Sequence, residues 1–167
     1  PLQAFDLSGW PHAAAVAAGV LALELAIYAF HRAMHAWRPL WLALHQMHHS
    51  SERLDALSAW WFSPLDMVGF TLLPGLVLTF AGLPPAAVTH TLLIVAFLSM
   101  FQHTNVRTPR WLGWIVQRPE SHSVHHERGV HRHNFADLPV IDIAFGTFRN
   151  PAGFAAASGF WDGASQR

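Results

Sequence analysis

The chain has 167 residues, enough for one domain; 52% of them are hydrophobic and 12% are charged. A soluble domain carries about 25% charged residues, so this chain has too little polar surface to cover itself in water and reads as a membrane protein. The absence of cysteine excludes disulfides, thiolate zinc sites, iron–sulfur clusters and cysteine nucleophiles. A net charge of zero, with arginine as the sole basic residue type beside histidine, gives no reason to expect a nucleic-acid partner.

After a short lead-in, Trp10-Pro11 opens an apolar run from Ala13 to Phe30. Proline suits a first helical turn, and about twenty apolar residues span a bilayer core, so a transmembrane helix is expected over about 11–36. Its one acid is Glu24. Trp37-Arg38-Pro39 breaks the helix, a second helix is expected from Trp41 to Ser50, and Ser51 to Asp66 reads as an interfacial segment, giving interfacial helices over about 40–66. Met67 to Ala81 and Ala86 to Phe101 are two further apolar runs, joined by the turn Gly82-Leu83-Pro84-Pro85. They read as a transmembrane hairpin over about 67–103 that leaves and returns on one side. The remainder, about 104–167, is polar and rich in tryptophan. The sequence begins at Pro1 rather than Met, so it is expected to be a fragment.

Three short stretches carry the chemistry: His31-Arg-Ala-Met-His35, His45-Gln-Met-His48-His49 and His122-Ser-Val-His125-His126. Spacings of three and four put imidazoles on one helical face. Imidazole is the commonest protein ligand for metals, and an i, i+4 pair can grip one ion. A single HxxxH is weak evidence, because surface or core pairs occur by chance. Two HxxHH boxes beside one HxxxH are strong, because clustered imidazoles repel when protonated and have few structural uses. The hairpin returns at Gln102-His103-Thr104-Asn105, so His103 falls on the same side as the boxes. His12 and His90 fall toward the other end of their helices. Nine of the ten arginines (Arg32, Arg38, Arg53, Arg107, Arg110, Arg118, Arg128, Arg132 and Arg149) lie on the histidine side and the hairpin turn has none. By the positive-inside rule that side is cytoplasmic. Trp37, Trp41, Trp60, Trp61, Trp111 and Trp114 form its interfacial belt.

Eight or nine imidazoles are too many for one ion and suit two, each with four or five nitrogens. Beside acyl chains, iron has an evident use, the activation of dioxygen against an unreactive C–H bond; zinc lacks the second oxidation state. Ligating histidines donate their other N–H to a carboxylate or carbonyl. Glu24, two helical turns before His31, is a candidate for that role, since an acid inside a membrane helix is expensive. Glu52, Glu120, Asp137 and Asp142 are further candidates, although a solvated or capping role is the plainer reading of each. His131 and His133 alternate, so no more than one of them is expected to face the metals, and both are reserve ligands beside the nine.

At these residues the chain resembles the fatty acid hydroxylase and sterol desaturase superfamily of membrane histidine-box di-iron oxygenases, most of all its bacterial members. The stretches that carry the likeness are Tyr28-Ala-Phe-His31-Arg-Ala-Met-His35, His45-Gln-Met-His48-His49-Ser50-Ser51, Phe101-Gln-His103-Thr-Asn105, His122-Ser-Val-His125-His126 and Asp142-Ile-Ala-Phe145-Gly146-Thr147-Phe148. The resemblance implies metal ligation by His31, His35, His45, His48, His49, His103, His122, His125 and His126, with Glu24, Asn105 and Asp142 as candidate catalytic residues. It implies two iron ions, replaceable by zinc in a purified sample, and oxidation of a lipid chain (fatty acyl, sterol-like or ether lipid) to an alcohol or alkene. Electrons would come from an external donor, a reductase with a cytochrome b5-like or ferredoxin-like carrier, since no flavin or nicotinamide fingerprint is present. The chain departs from the family at Ser63-Pro64, where many members have His-Pro, at Ile141-Asp142 in place of Trp-Asp, and at Asn134-Phe135-Ala136 in place of Asn-Tyr-Gly. Family members also have membrane helices before the first box, and most of that region is missing from this sequence.

The expected fold is therefore all-α, an integral membrane helical bundle with a histidine-rich metal-binding cap on the cytoplasmic side of the bacterial inner membrane. The rival functions are a non-catalytic membrane metal carrier and a membrane zinc hydrolase. Ligand count and metal identity separate the three.

Overall fold

The computed structural model describes residues 3–161. Among them there is no strand, and the one β-type contact is an isolated bridge between Glu127 and Ser158. The helices are α1 (His12–Ala36), α2 (Arg38–Leu40), α3 (Pro64–Ala81), α4 (Pro85–Gln102), α5 (Pro119–His125) and α6 (Pro139–Ala144). Five of the six have proline in their first turn, where its missing N–H removes no hydrogen bond. Helices α1, α3 and α4 are long and apolar enough to cross a membrane.

Helix α1 packs against both members of the α3–α4 hairpin. Its buried stripe runs Ala15, Gly19, Val20, Leu23, Glu24, Ile27, Tyr28, His31 and Met34, the three-and-four spacing of one helical face. Val20, Leu23 and Ile27 meet Leu78 of α3 and Val95 of α4 in the bundle core. Gly19 permits the close approach to α4, since a Cβ there would lie 2.7 Å from Thr91 Oγ1. Small residues serve the same end at helix crossings in lipid, where close fit replaces the hydrophobic effect. The outer faces of α3 and α4 leave Leu65, Val68, Leu72, Leu76, Leu93 and Phe97 exposed, as a lipid-facing surface requires.

Helix α3 stops at Gly82, whose φ of +61° is the left-handed conformation that glycine adopts without strain. The chain's own beginning then satisfies the end of the helix. The amides of Ala4 and Phe5 donate to Phe80 O and that of Leu7 to Gly82 O, pairing carbonyls that have no partner within the helix.

The stretch expected as interfacial helices is more broken. Trp41–His45 forms a widened, π-helical turn that continues α2, and His48–Ser50 and Ser58–Trp60 are single 3-10 turns. Helix α3 already begins at Pro64, ahead of its apolar run, because the Ser63 hydroxyl accepts from the Asp66 amide as an N-cap. The cap after α4 is anchored by a second small core of Tyr28, Phe135, Ala136 and Ile141. Its 3-10 turn Arg110–Trp114 and α6 turn Trp111, Trp114, Ile115, Val140, Ile143 and Phe145 outward.

Candidate metal centre

The nine histidines of the three boxes and the hairpin's return fall into two groups. His31, His35, His45, His49 and His125 form one, and His48, His103, His122 and His126 form the other. Within each group the candidate ligand nitrogens all lie within 4.8 Å of one another. Eight of the nine residues are buried, and His35 is partly so. Each i, i+4 pair (31/35, 45/49, 122/126) stays within one group. The third histidine of each HxxHH box crosses to the other: His48 leaves His45 and His49, and His125 leaves His122 and His126. The two boxes thereby tie the groups together.

The five-histidine group is held from outside. His31 Nδ1 donates to Phe135 O at 2.8 Å, His125 Nδ1 to His133 O at 2.7 Å, and His45 Nδ1 to the Asp66 carboxylate at 2.8 Å. His35 hydrogen-bonds the His131 backbone, and His49 Nδ1 lies 3.0 Å from His131 Nδ1. A carbonyl can only accept, so the ring nitrogen facing it carries the hydrogen and the other nitrogen of a neutral imidazole is a bare lone pair. The Nε2 atom of His31 is in that state, and so is that of His45 where its Nδ1 donates to an ionised Asp66 carboxylate, yet the two lie 2.9 Å apart. The Nε2 atoms of His35, His49 and His125 are buried with no hydrogen-bond partner. Two bare lone pairs at hydrogen-bond distance repel, and a cation between them removes the conflict. With metal–nitrogen bonds of about 2.1 Å, neighbouring ligands at right angles would be about 3.0 Å apart, so the residues fit a metal ion.

The four-histidine group has the same spacing. His103 Nε2 lies 3.1 Å from His48 Nε2 and 3.0 Å from His122 Nε2, and His126 Nε2 lies 3.1 Å from His122 Nε2. His103 Nδ1 donates to Ser99 O at 2.7 Å. His48 hydrogen-bonds the Trp61 backbone, and the Nδ1 atoms of His122 and His126 are buried and unpartnered.

Burial, and after it the neighbouring imidazoles, push His45, His48, His49, His122, His125 and His126 well below the usual 6.5, and burial holds His103 at about 4. These rings are neutral at pH 7, the state that ligates metal.

The loop from His131 to Phe135 supplies much of this support, and sequence reasoning did not foresee it. His131, His133 and Asn134 have φ of +44°, +71° and +50°, a left-handed region that non-glycine residues rarely occupy. The twisted backbone turns the His133 and Phe135 carbonyls toward His125 and His31. His131 joins neither ligand group and instead meets His49 through its ring. The buried acids restrain the same loop. The Asp142 carboxylate accepts from the amides of Phe135 and Ala136 and from Thr147 Oγ1. Glu24 Oε2 accepts from the amides of Asp137 and Leu138. Neither acid touches a ligand histidine in these bonds. Glu120 pairs with Arg118 and accepts from Thr108, within the cap. Asn105 is exposed and lines a surface depression with Glu52, Arg53 and Ser123, apart from both histidine groups. Asp66, the partner of His45, was missed as a support although the argument applied to Glu24 fits it as well: an acid in a membrane helix needs a purpose.

A cavity of about 290 Å³ opens beside both groups. Its walls include His31 and His45 of one, His48, His103 and His122 of the other, and apolar side chains from Leu23, Ile27, Phe62, Phe70, Leu92 and Val95.

Three membrane-length helices, with two buried imidazole groups that could hold metal beside an apolar cavity, define a histidine-cluster membrane protein. The family model for fatty acid hydroxylase matches residues 16–147, and the chain belongs to that family. An ornithine lipid hydroxylase, OlsE, of Rhizobium tropici is 31% identical over 147 residues, covering 85% of this chain and 44% of the relative. The chain thus spans less than half the length of that curated relative. No solved structure matches the chain.

Proposed function

We propose that the chain is the metal-binding portion of a di-iron lipid hydroxylase that uses dioxygen and external electrons. The observation that carries this reading is the pair of bare imidazole nitrogens, His31 Nε2 and His45 Nε2, at 2.9 Å, beside a second group with Nε2–Nε2 contacts of 3.0–3.1 Å and an apolar cavity. His31, His35, His45, His49 and His125 would hold one ion and His48, His103, His122 and His126 the other. Iron bound there would supply activation of dioxygen against an unreactive C–H bond.

The chain's own residues do the rest. Asp66 and the carbonyls of Phe135, His133 and Ser99 fix ring orientation and tautomer, which raises ligand basicity. Phe62 stacks on His48 with ring centroids 4.9 Å apart, and Phe135 lies edge-on to His31 at 5.5 Å. These rings exclude water from the centre. Leu23, Ile27, Phe70, Leu92 and Val95 would take an acyl segment and hold one carbon near the metals. Glu24 and Asp142 act through the 134–138 loop, as positioning residues.

The relative's name favours hydroxylation over desaturation, and a lipid bearing an amino-acid headgroup as substrate. The arginine distribution supports a cytoplasmic metal side, where a reductase with a cytochrome b5-like or ferredoxin-like carrier would supply electrons.

The test is metal content after purification in mild detergent without chelator or metal-affinity resin, followed by reaction in isotopically heavy dioxygen. About two irons per chain, fewer in His48→Ala and His125→Ala, with one heavy oxygen in the lipid product, is the expected result. One zinc per chain and no iron after iron-replete expression would point to a hydrolase. Metal indifferent to His48 would leave a carrier.

A further inference from the structure

The wall of the apolar cavity has one polar corner whose side-chain hydrogen bonds reach no ligand histidine. Asp137, Ser99 and Gln102 all line the cavity. Ser99 Oγ and Gln102 Nε2 each donate to the Asp137 carboxylate at 2.6 Å, and Glu24 stands behind it, accepting the Asp137 amide at 2.8 Å. Asp137 is 3% and Glu24 0% exposed, and among the described residues neither carboxyl has a cation within ion-pair distance. Glu24 and Asp137 are hydrogen-bonded side chain to side chain, so one proton serves the two carboxyl groups. Gln102 Oε1, which lines the cavity, is buried with no donor, and the Asp137 oxygens can accept further bonds. Burying an unpaired acceptor is unfavourable, and a ligand that brings a hydrogen-bond donor relieves it.

Resting on the reading of the cavity as the lipid site, we infer that the Asp137–Gln102–Ser99 corner, backed by Glu24, binds a hydrogen-bond-donating group of the lipid, a hydroxyl or an ammonium. Ser99 is four residues from His103 and Glu24 is seven from His31, about 6 and 10 Å at 1.5 Å per residue. A donor held there fixes which carbon, that distance along the chain, reaches the metals. The corner is a ruler for the position of attack.

The test uses metal-loaded protein in nanodiscs and four radiolabelled probes: dodecane, 1-methoxyundecane, dodecan-1-ol and dodecylammonium. Binding is read by scintillation proximity, with partitioning into empty nanodiscs subtracted. The two donors are expected to bind at least tenfold tighter than dodecane and than the methoxy compound, whose oxygen only accepts. In Gln102→Met and Asp137→Asn that advantage should fall to within threefold, with metal content unchanged. Dodecanol as the tightest probe assigns the corner to a neutral hydroxyl, and dodecylammonium to a cationic headgroup. Donors no tighter than dodecane, or an advantage that persists in both variants, overturn the inference; if a variant fails to fold, the wild-type comparison decides alone. Saturable binding of none of the four sinks the lipid-site reading itself. A donor preference without two bound metals keeps the corner and sinks the di-iron proposal.

Discussion

The two histidine groups are built from the same side chain at similar spacing, yet the protein holds them differently. In the five-histidine group every ring has a partner for its second nitrogen: a carboxylate, two carbonyls, the His131 backbone or the His131 ring. In the four-histidine group His103 bonds Ser99 O and His48 the Trp61 backbone, while His122 and His126 leave Nδ1 buried and bare. The first group is oriented before any ion arrives. The second has fewer such restraints. An ion held by its four histidines rather than five would keep room for an exogenous ligand. Both border the cavity, so the difference lies in how firmly each is fastened.

The largest expected effect tests what the groups share. Their imidazoles sit below the usual 6.5 in the folded state, so the unfolded chain takes up protons that the folded chain refuses. Stability is therefore full above about 6.5 and falls as the pH drops toward 4, where His103 charges. Metal-free protein in detergent, unfolded thermally across pH 4 to 8, should lose stability steadily on the acid side; a flat profile would mean the rings are not buried together.

Asp66→Ala sharpens the difference. It removes the carboxylate from His45 and should weaken metal bound by the five-histidine group by about 10–100-fold, as measured by competition with a chelator. An equal loss of metal from the four-histidine group would break the claim that the groups are supported separately. Gly19→Ala should have the smallest effect on metal. A Cβ there would meet Thr91 and Leu83, so the α1–α4 crossing should lose about 1–3 kcal/mol with metal content unchanged. Metal loss in that variant would show that the bundle and the cap are one cooperative unit.

Much of this could be read from the residues. The apolar runs after Pro11, Pro64 and Pro85 are the three long helices, because in lipid a backbone without water must satisfy itself. The nine histidines that the boxes and hairpin nominate are the nine that gather. Spacing alone also carries the rule that i, i+4 pairs share a group, since helix geometry stacks them on one face. The broken course from Trp41 to Ser63 was less legible. Its turns are set by contacts such as the bond from Ser63 Oγ to Leu44 O, made with residues distant in sequence.

What the sequence determined by itself is the chemistry of the centre and the elements that carry it, because ligand type, apolar length and helical period are local properties. What the tertiary structure decided is which histidine belongs to which group and what holds each in place. His48 and His125 change groups because the rings of α5 meet those of the His45–Ser50 stretch crosswise, His48 beside His126 and His49 beside His125. Glu24 is bonded to the amides of residues 137 and 138, and Asn105 lies out on the surface. The left-handed turns at His131, His133 and Asn134 are stable only where the Asp142 carboxylate and the ligand rings hold the loop on both sides. The bonds from Glu24 to the Asp137 amide and from His31 to Phe135 O span more than a hundred residues, and no local pattern encodes them.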